Sequence, residues 1–171
     1  MTDAAAQDAV SAPALERRDD MGRLVAVTWQ GTGVSEDSVS ERWLVAVDGS
    51  GCSLRAVAMV ARLAALEQGA EVDLVHVQPW LNKEAAETEL PRRGWAAAAQ
   101  ARNLLDAAAV RWRLHTTMGE EAPEIAGLAD ALGSRGIAIG LRGLTATESL
   151  LLGSVAYKVV HLAKLPVLIV R

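Results

Sequence analysis

From residue 43 to the C-terminus the chain repeats one rhythm: a short apolar run of strand length, a turn, then a longer stretch with helical spacing. The runs are WLVAVD at 43–48, VDLVHV at 72–77, WRLHTT at 112–117, IAI at 137–139 and VLIV at 167–170. The continuous apolar run WLVAVD fits a strand covered on both faces, whereas WRLHTT alternates. The stretches between them, 54–68, 95–109, 120–132 and 148–165, read as helices. Ser53 is a candidate N-cap, and acidic residues stand in the first turn of the third helix, where the macrodipole favours them. The segment between the second strand and second helix, through Pro79 and Pro91, reads as a loop, and the third strand as the most exposed. Five strands alternating with four helices predict an α/β fold. It is a doubly wound, Rossmann-like parallel sheet, order 3-2-1-4-5, with helices on both faces. Ligands of such sheets bind beyond the carboxyl ends of the strands, where the strand order reverses.

The remaining bounds come from composition. A chain of 171 residues makes one domain, and its core must be built from Ala, Val and Leu, since there is no Phe and only one Tyr. Net charge is −4, and only three lysines are present, so no basic stripe exists for nucleic acid. One cysteine, Cys52, excludes an internal disulfide and a cysteine-built zinc site. The N-terminus lacks the apolar core of a signal peptide, and no apolar run approaches a membrane span; the expectation is a cytoplasmic protein. The reading divides the chain into an N-terminal arm, 1–41, and a domain, 42–171. The first twenty residues are expected to be disordered. A short β segment, RLVAVTWQ at 23–30, supplies an extra strand at a sheet edge or across a dimer.

Chemistry concentrates at the strand ends. The fourth strand runs into Gly140-Leu141-Arg142-Gly143, and Gly153-Ser154 follows inside the next helical pattern. Gly140 is expected to let the backbone approach a bulky ligand, and Gly143 to permit positive φ in a tight turn. A helix restarting near Gly153 would present free N–H groups and the Ser154 hydroxyl to an anion. At the end of the first strand, Asp48 precedes Gly49-Ser50; its carboxylate suits either a nucleoside's hydroxyls or its own turn. The chain contains no G-x-x-x-x-G-K-[ST], no G-x-G-x-x-G and no G-x-S-x-G. His76 reads as a core histidine, His115 and His161 lack a metal-ligand spacing, and the five tryptophans read as core or interface anchors.

Gly140-x2-Gly143-x9-Gly153-Ser154 resembles the nucleotide-binding signature of the ATP-binding universal stress proteins. VAVDGSGCS at 45–53, LVHV at 74–77, LLLGSVAYKVV at 150–160 and LPVLIV at 165–170 are similar to other segments of that family. The resemblance covers residues 43–171. It implies ATP, or AMP or ADP, with or without Mg²⁺. Asp48 and Ser50 would stand at the adenine or ribose end and the Val77 backbone on the adenine edge. Gly140, Arg142 and Gly143 would lie along ribose and phosphates, with Gly153, Ser154 and the Val155 backbone at the phosphate tail. It further implies a homodimer through Val167–Val170, and a regulatory protein rather than an enzyme. Leu141 stands where many relatives have serine, and Glu148 would repel polyphosphate. The rival readings are an interaction module of the same fold that binds no nucleotide, and an adenine-nucleotide hydrolase.

Overall fold

The computed structural model describes residues 10–34, 42–66, 71–143 and 152–171. Seven strands form one sheet in the order β1-β2-β5-β4-β3-β6-β7. They are β1 (Leu15–Arg18), β2 (Leu24–Gln30), β3 (Trp43–Ala46), β4 (Glu71–Gln78), β5 (Arg111–Met118), β6 (Gly136–Gly140) and β7 (Val167–Val170). The five from β3 onward are mutually parallel and stand in the expected doubly wound order. Two antiparallel strands extend the sheet beyond β5, so it has seven strands rather than five. Residues 15–18, expected to be disordered, pair with β2 and form the sheet edge, and β2 lies one strand in, between β1 and β5. This pairing also corrects the expectation that the third strand is exposed. β5 is an interior strand, with only Arg111 and His115 reaching partial exposure.

Five helices cover the two faces: α1 (Gly51–Ala64), α2 (Lys83–Ala97) and α3 (Ala99–Ala107) on one, α4 (Glu121–Ala131) and α5 (Ser154–Leu162) on the other. α1 starts three residues earlier than expected. Ser50, not Ser53, is its N-cap, the Ser50 hydroxyl accepting the Ser53 N–H at 3.1 Å. α2 occupies much of what reads as a loop. Asn82 caps it by accepting the Ala85 N–H at 2.8 Å, and the helix runs through Pro91. An interior proline costs about 3 kcal/mol, which here is outweighed by burial of Ala86, Leu90 and Trp95. α5 begins at Ser154 and ends where Ala163 turns extended. The earlier part of the expected helix, 148–151, lies outside the described residues.

On the first face, Trp29 of β2 meets Trp95 of α2 with ring centroids 5.4 Å apart, and Trp95 meets Trp112 of β5 at 6.4 Å. The Arg102 guanidinium lies 3.4 Å from the Trp95 ring. On the second face, alternation brings residues 71, 73, 75 and 77 of β4 to one side, and the surface changes character along the strand. Val75 and Val77 pack under α4 with the apolar core, whereas Glu71 and Asp73 belong to an ion-pair network with Arg42, Arg111, Arg113 and His115. Buried charges hold only when paired, and the two carboxylates each meet at least two cationic or imidazole partners.

Chain order creates the site. From β3 the chain steps through α1 to β4 and then β5; after α4 it returns to β6 on the other side of β3. The carboxyl ends of β3 and β6 therefore lead to helices on opposite faces, which opens a crevice between them.

Candidate functional site

A cleft of about 360 Å³ lies over this reversal point, walled by the carboxyl ends of β3, β4 and β6, the first turns of α4 and α5, and the turn at 142–143. Of the residues expected to bind ligand, Asp48, Val77, Gly140, Arg142, Gly143, Gly153, Ser154 and Val155 all line it. Ser50 does not. Its hydroxyl is taken up in capping α1, and Ser53, one turn further, reaches the cleft instead.

The three glycines serve close packing, which corrects two of the reasons expected for them. A Cβ on Gly140 would stand 2.7 Å from the backbone carbonyl carbon of Cys52, so this glycine makes room for α1 rather than for a ligand. Gly143 has no positive φ; a Cβ there would meet Asp48 Oδ2 at 2.7 Å. Gly153 packs on the same turn, 3.2 Å from the Leu141 carbonyl oxygen by the same measure. Its N–H donates to that oxygen at 2.8 Å, so it is spent on the protein rather than offered to an anion. The result is a turn clamped between Asp48 and the start of α5.

Two polar ends result. At the α5 end, Gly153 is the N-cap without a side-chain cap, and the first helical bond runs from the Tyr157 N–H to the Gly153 carbonyl. The amides of Ser154, Val155 and Ala156 precede that bond and have no acceptor among the described residues. Beside them Arg142 lines the cleft, and its Nε is buried without a hydrogen-bond partner. Amides, helix dipole and guanidinium together make this end attractive to an anion. At the β3 end, Asp48 Oδ1 accepts the Ser50 N–H at 2.9 Å across a turn that Gly49 permits with φ of +83°. The turn uses one carboxylate oxygen.

The third feature is a backbone edge. The Val47 N–H donates to the Val75 carbonyl at 2.8 Å, so Val75 directs its backbone groups toward β3, and by alternation Val77 does too. The β3–β4 ladder has ended by then, and Val77 N–H and C=O face the cleft with no partner among the described residues. His76, read from sequence as a core histidine, instead reaches Val47: its Nδ1 lies 3.0 Å from the Val47 carbonyl. A carbonyl only accepts, so Nδ1 carries the proton. His76 lines the cleft along with Gln78 and Glu121. The sequence signal for all three was position alone: each adjoins the carboxyl end of a strand or the start of a helix.

Among the described residues, no group of three His, Cys, Asp or Glu side chains is placed to hold a metal ion, and no helix is long and apolar enough to cross a membrane. The geometry can hold a ligand with a planar hydrogen-bonding edge at Val77, hydroxyls near Asp48 and an anion at α5.

Comparison with known proteins agrees with the fold. Residues 40–171 match the model of the universal stress protein family. The chain is 31% identical over 150 residues to the universal stress protein YxiE of Bacillus subtilis, covering 76% of this chain and 98% of that one. Among solved structures it is similar to a universal stress protein in complex with cAMP, at 26% identity and a TM-score of 0.61, covering 78% of this chain and 99% of that one. The universal stress protein from Archaeoglobus fulgidus in complex with dAMP shares the fold at a TM-score of 0.62 and 22% identity, covering 78% and 100% respectively. A sheet of this order, a cleft at its reversal point and a family match over the whole of that unit lead to one assignment: the chain belongs to the universal stress protein family.

Proposed function

We propose that the chain binds an adenine nucleotide in this cleft and acts as a cytoplasmic regulatory protein, its conformation or partner surface changing with occupancy. The observation that carries the reading is the anion end: three amides without acceptors at the start of α5 beside the buried, unpartnered Nε of Arg142. The Val77 edge then suits adenine, which offers an exocyclic amine as donor and a ring nitrogen as acceptor. The Asp48 carboxylate, an acceptor at the rim of the cleft, suits the ribose hydroxyls. The complexes of relatives with dAMP and cAMP support the ligand class.

Charge argues for AMP over ATP. Arg142 is the single cation among the lining residues, against the carboxylates of Asp48 and Glu121. That set is already net negative, so every added phosphate charge raises repulsion, and three phosphates are disfavoured more than one unless Mg²⁺ travels with them. The lining residues also supply no arrangement of general base and nucleophile, so the reading is binding without rapid turnover. We further propose that residues 42–171 are the nucleotide-binding unit and that two copies pair through β7. β7 has a strand neighbour on one side only, and Val167, Leu168 and Ile169 are half-buried.

Calorimetric titration of the purified chain with AMP, and with ATP in the presence and absence of Mg²⁺, tests the ligand. Saturable AMP binding is expected, weakened about tenfold in Arg142→Ala, the cost of one charge-assisted contact. No heat and no thermal stabilisation with any adenine nucleotide at millimolar concentration would sink the reading.

A further inference from the structure

We propose that His76 is a positioning residue that holds the β3–β4 ladder open at its last rung, keeping the Val77 amide available to a ligand. The inference rests on the nucleotide reading above but concerns a side chain that reading does not use.

Hydrogen-bond accounting leads to it. In a parallel pair, a residue whose N–H bonds one strand position ordinarily receives at its carbonyl the N–H two positions further along. Val47 donates to the Val75 carbonyl at 2.8 Å, so the Val47 carbonyl is where the Val77 N–H would close the next rung. That bond is not made. The Val47 carbonyl is met instead by Nδ1 of His76 at 3.0 Å, from the residue directly before Val77. A buried backbone amide left without an acceptor is costly, so a free Val77 N–H at a strand end needs a reason. The imidazole supplies it, since it satisfies the carbonyl and removes the pull that would draw the two strands together. The ladder stops at the residue where the cleft begins, and both Val77 groups remain turned into it. His76 is only half-buried and lines the same cleft, so the wedge and the freed amide share one wall.

An aliphatic side chain cannot donate to Val47. In His76→Val the carbonyl is released, and the Val77 N–H is expected to take it, closing the rung. His76→Asn is the conservative control, because the asparagine amide nitrogen falls near the position of Nδ1 and donates as it does. Amide exchange followed by NMR and AMP titration on the full chain read the two halves of the proposal separately. In His76→Val the Val77 amide is expected to exchange at least about tenfold more slowly than in the wild type, as an amide entering a ladder does. Its AMP affinity is expected to fall about tenfold. His76→Asn is expected to restore fast exchange and most of the affinity, which a purely packing role would not produce. The proposal is overturned if the Val77 amide stays as fast in His76→Val as in wild type, or if it slows while affinity is unchanged. If His76→Val does not fold, His76→Leu carries the same comparison in a larger side chain that likewise has no donor. A wild-type chain that binds no AMP defeats the nucleotide reading instead, and the exchange comparison still decides whether His76 holds the rung open.

Discussion

Gly140, Gly143 and Ser50 carry the clearest lesson about single residues. All three stood out in the sequence by composition and spacing, and two of them line the cleft, but none has the local role that the spacing suggested. Gly140 is a contact between β6 and the backbone of α1, Gly143 lies against the Asp48 carboxylate, and Ser50 caps a helix. A motif read along the chain records which side chains must be small; it does not record what presses on them, because the pressing atoms lie about ninety residues away in sequence. Cys52 shows this at Gly140. Since the obstructing atoms there are backbone at 2.7 to 2.9 Å, they cannot swing aside. Gly140→Ala is therefore expected to destabilise the fold by about 1–3 kcal/mol, the usual range for overpacking a close contact. Urea unfolding monitored by circular dichroism checks this. A variant as stable as the wild type would show that the α1–β6 contact yields.

At the scale of elements, the five parallel strands were legible as short strand-length runs between turn signals, WLVAVD continuous and WRLHTT alternating, and α2 was not because its proline outweighed its burial pattern. β1 was illegible for a different reason. LERR has no alternation, and only its pairing with β2 makes it a strand. The polar half of β4 and β5 was likewise hidden, since Glu71, Asp73, Arg113 and His115 read singly as surface charges while the sheet stacks them face to face. Their coupling sets an expected pH dependence. Burial pushes the Asp73 carboxyl up, but hydrogen bonds and charge from His115 and Arg42 outweigh it and hold the group below the ordinary carboxylate range. A carboxyl depressed in the folded state contributes stability above its unfolded value, about 3.9, and that contribution is lost as pH falls through the folded value. Unfolding free energy is thus expected to hold from neutral pH to about 4 and then drop. Asp73→Asn is expected to cost about 3 kcal/mol at pH 7, by removing the carboxylate that His115 and the Arg42 Nε meet while Arg42 keeps Glu71, and to flatten the acid limb. Chemical unfolding at a series of pH values from 2.5 to 7 reads both; an unchanged acid limb in the variant would remove Asp73 as its cause.

Across the whole molecule, the sheet has two unlike margins. The β7 side is short, apolar and half-exposed, flanked by Tyr157 at 56% exposure and Val160 at 42% on α5. Pairing there predicts a dimer in sedimentation velocity at micromolar concentration, reverting to monomer when Ile169 is replaced by lysine; a wild-type monomer at all concentrations would count against it. The β1 side is different: four exposed residues, three of them charged, with a break in register between Arg17 and Arg18. Residues 15–30 lie before the family match, so the blunted margin stands outside the matched unit. It has a consequence for growth. A slab that is adhesive along one rim and guarded along the other can join rim to rim once, and then has no rim left to recruit a third. With β7 pairing, the N-terminal hairpin would make the sheet self-terminating.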